Sequence, residues 1–305
     1  MKRKKIMFVL LKTLGDVMLG TTICHELKRD FPDSDIFFYT NAAYVPILGN
    51  NPDIHQVKVS DEWGPDMIFM DMVRSNYDQI FIPYQIRREC NIWHQEEPTR
   101  HQHLVDFYWG RMGMHRSITD RECYLYPDDQ DYLNAKRHIS FDVPRIAIHS
   151  TTGVLTKDWP YFEELTEECR KAGFACVQVG AKTDKGIEKA VDLRGKMGLL
   201  ELAAFLSNCA AFVGLDSGVS YIADTMKIPT IVIQGSTNPV TSGPISDRVI
   251  HLFAQETGYD DCQVIRCHTN CRHDVNCITK ISVEDVLTKI DETVNAWRRP
   301  IPVEV

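Results

Sequence analysis

The stretch that decides the fold is residues 211–226, AFVGLDSGVSYIADTM. The apolar run 211–214 is typical of a parallel strand that is buried on both faces. The Asp-Ser-Gly turn at 216–218 ends this run, and the apolar residues of 219–226 recur at helical spacing. A strand, a turn and a helix in this order form the repeating unit of a parallel α/β fold.

The same unit recurs along the chain and divides it into two halves. Residues 6–11 are a continuous apolar run, and residues 16–28 follow with apolar side chains at helical spacing. The pattern restarts with the apolar run 146–149. We therefore predict an α/β protein with two Rossmann-like domains, 1–143 and 144–305, whose parallel sheets face each other across a cleft. Sheets of this kind bind ligands beyond the carboxyl ends of their strands.

Other segments fit this alternation. Further strands are predicted at 36–39, 77–82, 175–179 and 229–233. Further helices are predicted at 42–48, 162–171, 199–206 and 282–297. The spacing of Ser282 and Asp285 predicts a capping box at the start of the last of these helices.

The composition excludes several classes of protein. The 305 residues are 44% apolar and 25% charged, which excludes wholesale disorder and a multi-span membrane protein. With 34 Lys and Arg against 42 Asp and Glu, the net charge is −8. An acidic chain is a poor general binder of nucleic acid, because Lys and Arg supply the contacts to phosphate. We expect no nucleic-acid partner.

The amino terminus carries four consecutive cations, Lys2-Arg3-Lys4-Lys5, ahead of the apolar run 6–11. Lys12 ends that run before it reaches the length of a signal peptide. No stretch approaches the ~20 apolar residues of a transmembrane helix. We therefore predict a cytoplasmic protein. The cation cluster is either a solvated start to a buried strand or a peripheral contact with the anionic inner face of the membrane.

Residues 12–16, Lys-Thr-Leu-Gly-Asp, follow the first predicted strand. Asp16 would open the next helix. A carboxylate at this place either caps the helix or takes the proton of an attacking hydroxyl as a general base. Both interpretations stay open from position alone. The segment has no GxGxxG motif, which argues against a dinucleotide dehydrogenase.

A second polar turn, His-Ser-Thr-Thr-Gly at 149–153, follows a predicted strand, and Lys157 comes soon after it. Hydroxyls and backbone amides at such a place form a cradle for phosphate. Lys157 would add a mobile point charge suited to a diphosphate. The alternative is an ordinary polar turn with a solvated lysine.

A third motif, Asp216-Ser217-Gly218, also follows a strand, and it lies in the same predicted domain as the second motif. The amides of Ser217 and Gly218 can point at an anion from the start of a helix. Asp216 is unusual beside a phosphate unless it orients the loop, accepts a sugar hydroxyl or pairs with Lys157. A purely structural N-cap is the alternative.

Four of the ten cysteines fall close together near the carboxyl terminus: Cys262, Cys267, Cys271 and Cys277. Their thiolates can supply a tetrahedral site for zinc or iron, and His268 and His273 are spare ligands. The alternative is a loop of reduced thiols. If a metal binds here, we expect its role to be structural and not catalytic.

These motifs, in this order, resemble those of glycosyltransferase family 9, the heptosyltransferases of bacterial lipopolysaccharide synthesis. The likeness runs over nearly the whole chain. Its landmarks are Gly15-Asp16-Val17 with Gly20-Thr21-Thr22, residues 31–34, 51–54, 101–113, 149–153, 157–160 and 197–203, Asp216-Ser217-Gly218, and residues 234–239. The resemblance implies a GT-B fold and an inverting, metal-independent transfer of a sugar from a nucleotide donor, which is ADP-heptose in the best-known members.

The resemblance also implies a role for each motif. Asp16 becomes the candidate general base, and Lys12 a charge partner near the reacting centre. The residues implied for donor binding are Thr151, Thr152, Lys157, Met197, Asp216, Ser217, Gly218 and Tyr221. Of these, the two threonines and Lys157 would hold the diphosphate, and Met197 would lie against the base. Tyr221 stands where the family usually places a histidine.

The expected reaction moves a heptose-type sugar to a hydroxyl of a surface-glycan, lipid-linked or lipopolysaccharide acceptor, and it requires no cofactor. Two alternatives stay open. One is a protein O-heptosyltransferase whose cysteine cluster binds a metal, since some protein-modifying relatives carry iron. The other is a non-catalytic protein that binds sugar nucleotides and in which Asp16 is idle.

Overall fold

In a computed structural model the chain folds into two compact units, Met1–Tyr126 and Pro127–Val305. The structure describes residues 3–59, 71, 74–83, 102–138, 143–253 and 276–298. Each unit is built on one sheet, and all pairings between the described strands are parallel. The predicted fold class, two α/β domains with parallel sheets, is confirmed.

The sheet of the first unit has the strand order β3-β2-β1-β4. Its strands are β1 (Lys4–Val9), β2 (Ser34–Thr40), β3 (Gln56–Val59) and β4 (Gln79–Phe81). The helices of this unit are α1 (Leu14–Asp30), a 3-10 helix (Ala42–Leu48) and α2 (Leu104–Arg111). The register sets Ile6 of the central strand β1 opposite Ile36 and Gln79 on its two sides. Ile6 is fully buried, as expected for a strand covered on both faces.

Helix α1 packs closely on the sheet because Gly20 has no side chain. A Cβ atom at this position would lie 2.6 Å from Cζ of Phe38 in β2. Phe38 in turn meets Phe8 of β1 edge to face, with ring centroids 4.9 Å apart. Helix α1 begins five residues after β1 ends. The start of α1 therefore lies near the carboxyl edge of the sheet, and Asp16 is in the first turn of this helix.

A buried carboxylate ties residues 116–120 to α1. The side chain of Glu26 is fully buried; it accepts the guanidinium of Arg116 and, at 3.2 Å each, the amides of Thr119 and Asp120. Burial raises the pKa of Glu26, but the hydrogen bonds from Arg116 and the two amides outweigh it, and the pKa is lowered from its ordinary value. Glu26 is therefore held in its charged form.

The sheet of the second unit has the strand order β10-β9-β8-β5-β6-β7. Its strands are β5 (Arg145–His149), β6 (Ala175–Gln178), β7 (Val191–Asp192), β8 (Ala211–Leu215), β9 (Thr230–Gln234) and β10 (Val249–Phe253). Its helices are α3 (Asp129–Lys136), α4 (Phe162–Lys171), α5 (Leu199–Leu206), α6 (Gly218–Thr225), α7 (Asn276–Thr279) and α8 (Val283–Arg298). Neighbouring strands β5 and β8 pair His149 with Gly214, so the polar turns that follow them lie side by side.

The closing helix α8 completes the core of the second unit. Its predicted capping box is present: the Asp285 carboxylate accepts the Ser282 amide at 2.9 Å, and the Asp285 amide donates to the Ser282 hydroxyl at 3.1 Å. Its buried face consists of Val286, Ile290 and Val294. The indole of Trp159 donates to the carbonyl of Ile281 at 2.8 Å and so links α8 to the turn after β5.

Several elements carry little sequence signal. Strands β3, β7 and β10 were not predicted; β7 has two residues, and β10 has the polar His251 at its centre. Helix α3 precedes residue 143, where the sequence analysis set the domain boundary, and it packs against α5 in the second unit. Ala135 is the buried residue of this polar helix, which explains its weak periodicity.

The cations at the amino terminus have local partners. Arg3 pairs with Asp35 at 2.7 Å, and the ammonium of Lys4 lies 5.0 Å from the centroid of the Phe31 ring. Lys2 lies outside the described residues. Over the described part of the chain, we find no helix with the length and apolar character needed to span a bilayer.

Candidate active site

The carboxylate of Asp16 is buried and held by three hydrogen bonds. Its Oδ2 accepts the amide of Thr13 at 3.1 Å and the hydroxyl of Thr13 at 2.7 Å. Its Oδ1 accepts the hydroxyl of Tyr108. Thr13 is the N-cap residue of α1, and Asp16 completes a capping box by accepting the Thr13 amide, so Asp16 takes part in the cap, as one interpretation of the sequence held. The same bonds fix the carboxylate in one orientation, which is what a positioned base requires.

Tyr108 also connects Asp16 to Lys12. The ammonium of Lys12 lies 5.8 Å from the centroid of the Tyr108 ring, so both predicted catalytic residues contact the same aromatic side chain. Tyr108 belongs to α2, about ninety residues further along the chain, and the sequence analysis did not single it out. Its helix corresponds to the segment 101–113 of the family resemblance; His101 itself lies outside the described residues.

In the second unit, the turn after β5 uses most of its own polar groups. The amide and the hydroxyl of Thr152 both donate to Oδ1 of Asp158 at 2.7 Å. The Thr152 hydroxyl oxygen accepts the amide of Val154 at 3.2 Å. The Thr151 hydroxyl oxygen accepts the amide of Lys185 at 3.3 Å, and its own proton can be donated to a ligand. Thr152 thus shapes the turn, and Asp158, which was not predicted, holds it.

Lys157 and Asp216 form an ion pair, one of the three roles that the sequence left open for Asp216. The ammonium of Lys157 lies 3.0 Å from Oδ2 of Asp216 and 3.1 Å from its backbone oxygen. Ser242 donates to the same carboxylate at 3.4 Å. Burial raises the pKa of Asp216, but the charge and hydrogen bond of Lys157 outweigh it, so the pKa is lowered from its ordinary value.

The third motif stands at the start of α6. Ser217 is the N-cap residue of this helix, and both Ser217 and Gly218 are partly exposed. No described residue accepts a hydrogen bond from the amides of Gly218 and Val219. The side chain of Ser217 points to His149, whose Nδ1 lies 3.1 Å from Ser217 Oγ. The pairing of β5 with β8 thus brings the second and third motifs together at the carboxyl edge of the sheet.

Two further residues that were predicted to bind the donor, Tyr221 and Met197, belong to the second unit. Tyr221 is buried, and its hydroxyl oxygen accepts the amide of Gly243 at 2.8 Å, so it joins α6 to the loop after β9. Met197 is partly buried and directly precedes Gly198, the N-cap residue of α5.

The loops after β5 and β9 are fastened to each other. Thr156 Oγ1 donates to Ser236 Oγ at 3.0 Å, and the amide of Ser236 donates to the Thr156 carbonyl at 3.3 Å. A Cβ atom at Gly235 would lie 2.3 Å from that carbonyl oxygen, so a larger residue would separate the loops. The loop that carries Lys157 is therefore supported from behind by the loop after β9.

Three of the four clustered cysteines, Cys262, Cys267 and Cys271, lie outside the described residues, as do His268 and His273. Cys277 is described: it is buried in the apolar core of the second unit, on α7. The described residues contain no group of three or more His, Cys, Asp or Glu side chains arranged to hold a metal ion. The predicted metal site stays a prediction.

The chain has two parallel α/β units with polar motifs at the strand ends, and it matches a glycosyltransferase family, so it is a glycosyltransferase of the GT-B fold. Residues 118–273 match the family model described as "Glycosyltransferase family 9 (heptosyltransferase)". The chain belongs to glycosyltransferase family 9. A curated relative, lipopolysaccharide heptosyltransferase 3 of Escherichia coli K12, is 22% identical over an alignment that covers 79% of this chain and 85% of the relative.

Solved structures share the fold over nearly the whole chain. The family 9 glycosyltransferase from Veillonella parvula superposes with a TM-score of 0.78 at 19% identity and covers 97% of this chain and 98% of its own. E. coli ADP-heptose lps heptosyltransferase II gives 0.75 at 15% identity and covers 97% and 100%. The iron-containing dodecameric glycosyltransferase TibC from enterotoxigenic E. coli gives 0.69 at 15% identity and covers 99% and 82%.

Proposed function

We propose that the protein is an inverting, metal-independent heptosyltransferase that moves a heptose-type sugar from a nucleoside diphosphate, ADP-heptose or a close analogue, to a hydroxyl of a surface-glycan or lipopolysaccharide acceptor. The main support for the donor is that Lys157 pairs with Asp216, directly before the start of α6. The two residues follow the adjacent strands β5 and β8. The choice of heptose and of a lipopolysaccharide acceptor is supported by the likeness to E. coli lipopolysaccharide heptosyltransferase 3 and to the structure of E. coli heptosyltransferase II.

The donor end of the reaction needs stabilisation of a departing diphosphate. Negative charge grows on the phosphate oxygens as the anomeric bond breaks. Lys157 supplies a cation, and the amides of Gly218 and Val219 supply dipoles at the positive end of a helix. Thr151 can add a hydroxyl donor. The Asp216 carboxylate, which holds Lys157, is available to accept a sugar hydroxyl.

The acceptor end needs a base, because a neutral hydroxyl is a weak nucleophile. We assign this role to Asp16, whose carboxylate is oriented by Thr13 and Tyr108. Lys12 supplies a positive charge close to the same Tyr108 ring. In this proposal the first unit binds the acceptor and the second unit binds the donor. The protein would act in the cytoplasm or at the inner face of the membrane.

The test is an assay in which the purified protein transfers heptose from ADP-heptose to heptose-deficient lipopolysaccharide. The rate is measured by the release of ADP. Asp16→Asn is expected to lower kcat at least ~100-fold, the usual contribution of a general base. Binding of ADP should be unchanged in that variant, since this proposal assigns donor binding to the second unit and Asp16 belongs to the first. Tyr108→Phe should lower kcat about tenfold through loss of one hydrogen bond to the carboxylate.

Tyr124→Phe is the matched control, because it removes a tyrosine hydroxyl that donates to a different carboxylate, Asp120, in the same unit. It should transfer at the wild-type rate. If Asp16→Asn transfers as fast as the wild type, the assignment of the base is wrong. If no nucleoside diphosphate binds to the wild type, the donor class is wrong as well. Binding without transfer to any acceptor would favour the non-catalytic sugar-nucleotide-binding protein.

A protein O-heptosyltransferase with a cysteine-bound metal is the second candidate. Its support is the fold shared with TibC, a protein described as iron-containing, together with the four cysteines of this chain. The first acceptor screen should therefore include an outer-membrane or secreted protein beside the lipopolysaccharide. Transfer to serine or threonine hydroxyls alone would select this candidate.

A further inference from the structure

Ser217 is an N-cap residue that does not cap its helix. Serine at this position usually turns its hydroxyl oxygen toward the second or third amide of the helix. Here the Ser217 side chain makes no such bond; its Oγ lies 3.1 Å from Nδ1 of His149. The Ser220 amide is accepted by the backbone oxygen of Ser217 at 3.2 Å instead. The first turn of α6 thus keeps its amides clear of the serine hydroxyl.

His149 is oriented for this contact by a carboxylate on its other side. Its ring is buried, and Nε2 lies 3.5 Å from Oδ2 of Asp184. The negative charge of Asp184 favours a proton on Nε2, which leaves the lone pair of Nδ1 to accept the Ser217 hydroxyl. The same Oδ2 accepts the amide of Ala181 at 2.8 Å, so the carboxylate is itself fixed.

The backbone around this pair is built for the close approach. A Cβ atom at Gly180 would lie 2.3 Å from Oδ2 of Asp184 and 2.8 Å from Cδ2 of His149. Gly180 also has a φ of +133°, which other residues rarely adopt. The fully buried Gln178 fastens the loop by donating to the carbonyl of Lys185 at 2.7 Å and accepting the amide of Ile187 at 2.8 Å.

We propose that His149, held by Asp184, is a positioning residue for donor binding: it draws the Ser217 hydroxyl away from α6 and so leaves the helix amides open to the diphosphate. This inference rests on the proposed function. Without His149, the Ser217 hydroxyl is expected to turn to the second or third amide of α6 and to compete with the phosphate for it. An N-cap serine contact corresponds to a factor of about five in an equilibrium constant.

The test is a cycle of four proteins: the wild type, His149→Ala, Ser217→Ala and the double variant. Calorimetry with ADP as the probe should show about fivefold weaker binding to His149→Ala. The double variant should bind ADP as Ser217→Ala does, because no hydroxyl remains to occupy the helix start. His149→Asn keeps an acceptor near the Nδ1 position and should restore binding. His138→Ala, which removes a histidine beside another carboxylate, Glu201, is the control.

A second readout needs no nucleotide. In His149→Ala, hydrogen exchange of the first-turn amides of α6 should slow about fivefold, because the serine now caps them. A merely structural loss would speed exchange, and its effect on ADP binding would not be relieved by Ser217→Ala. Either result overturns the inference. If the wild type does not bind ADP but hydrogen exchange still slows in His149→Ala, His149 does keep Ser217 from capping α6, and the proposed donor is wrong.

Discussion

The ammonium of Lys157 lies 3.0 Å from the carboxylate of Asp216, which neutralises its charge. Asp216 is almost completely buried, and the side chain of Lys157 is only 17% exposed, so solvent screens this pair little. A diphosphate that approaches Lys157 meets a cation already held in place. Its position is fixed in advance, at the cost of sharing its charge with a carboxylate.

Replacing Lys157 with methionine is expected to lower both stability and donor affinity. It leaves the Asp216 carboxylate buried without its cation, which costs about 3 kcal/mol in the free energy of unfolding at pH 7. The pKa of Asp216 is lowered, so its contribution to stability is present above the ordinary carboxyl pKa of 3.8 and is lost as pH falls through the lowered value. Urea unfolding at pH 7 and pH 3 measures the difference, which should shrink at pH 3.

Asp216→Asn in the Lys157→Met background should recover most of the lost stability but not ADP binding. Lys185→Met, at an exposed lysine of the same unit, is the control and should unfold like the wild type. An equal loss of stability at both pH values would show that the pair does not act through charge.

Glu26 gives a second prediction, on the first unit. Glu26→Gln keeps the shape of the side chain but weakens its bonds to Arg116 and to two amides, and it should destabilise α1 by about 2 kcal/mol at pH 7. Because the pKa of Glu26 is lowered, this stabilisation is present above pH 4.5 and is lost as pH falls through the lowered pKa. Hydrogen exchange of α1 in urea is the measurement.

The exposed Asp33, just after α1, gives the control Asp33→Asn, which should exchange like the wild type. A Glu26→Gln variant that exchanges like the Asp33→Asn control would mean that Arg116 finds other partners.

Removal of metal should leave sugar transfer unchanged. In the proposed reaction Lys157 and the helix amides stabilise the departing diphosphate, so treatment with EDTA should not lower kcat. Elemental analysis of protein purified under reducing conditions separately measures zinc or iron at the cysteine cluster. Transfer that stops in EDTA and returns with Mg²⁺ would refute metal independence.

The sequence predicted the fold well where the hydrophobic pattern was strong. The bounds predicted for α4 and α5 agree with the structure. Helix α4 has a clear apolar face, and the mostly apolar segment of α5 is bounded by Gly198 on one side and by Ser207 on the other. Strand β10 was not predicted because His251 interrupts its apolar run. Strand β7 was not predicted because its two residues are too few to show a periodic pattern. Short strands of this kind are fixed by pairing with a neighbour, which a local pattern does not record.

Partners that are distant along the chain could not be predicted for the site. Tyr108 reaches Asp16 from another helix, and Asp184 reaches His149 from another loop. Each is an ordinary residue in its own stretch of sequence. The sequence did show which strand ends carry polar motifs, and topology then decided which of those motifs are neighbours.

The clasp between Thr156 and Ser236 bears on attempts to change which sugar nucleotide is used. Gly235 leaves no room for a side chain beside the Thr156 carbonyl, so the two loops are complementary surfaces and not independent inserts. If one of these loops is replaced by the loop of a relative, the new loop will not fit the contact surface of the remaining loop. A change of donor preference, by engineering or by natural recombination, should therefore require that both loops are replaced together.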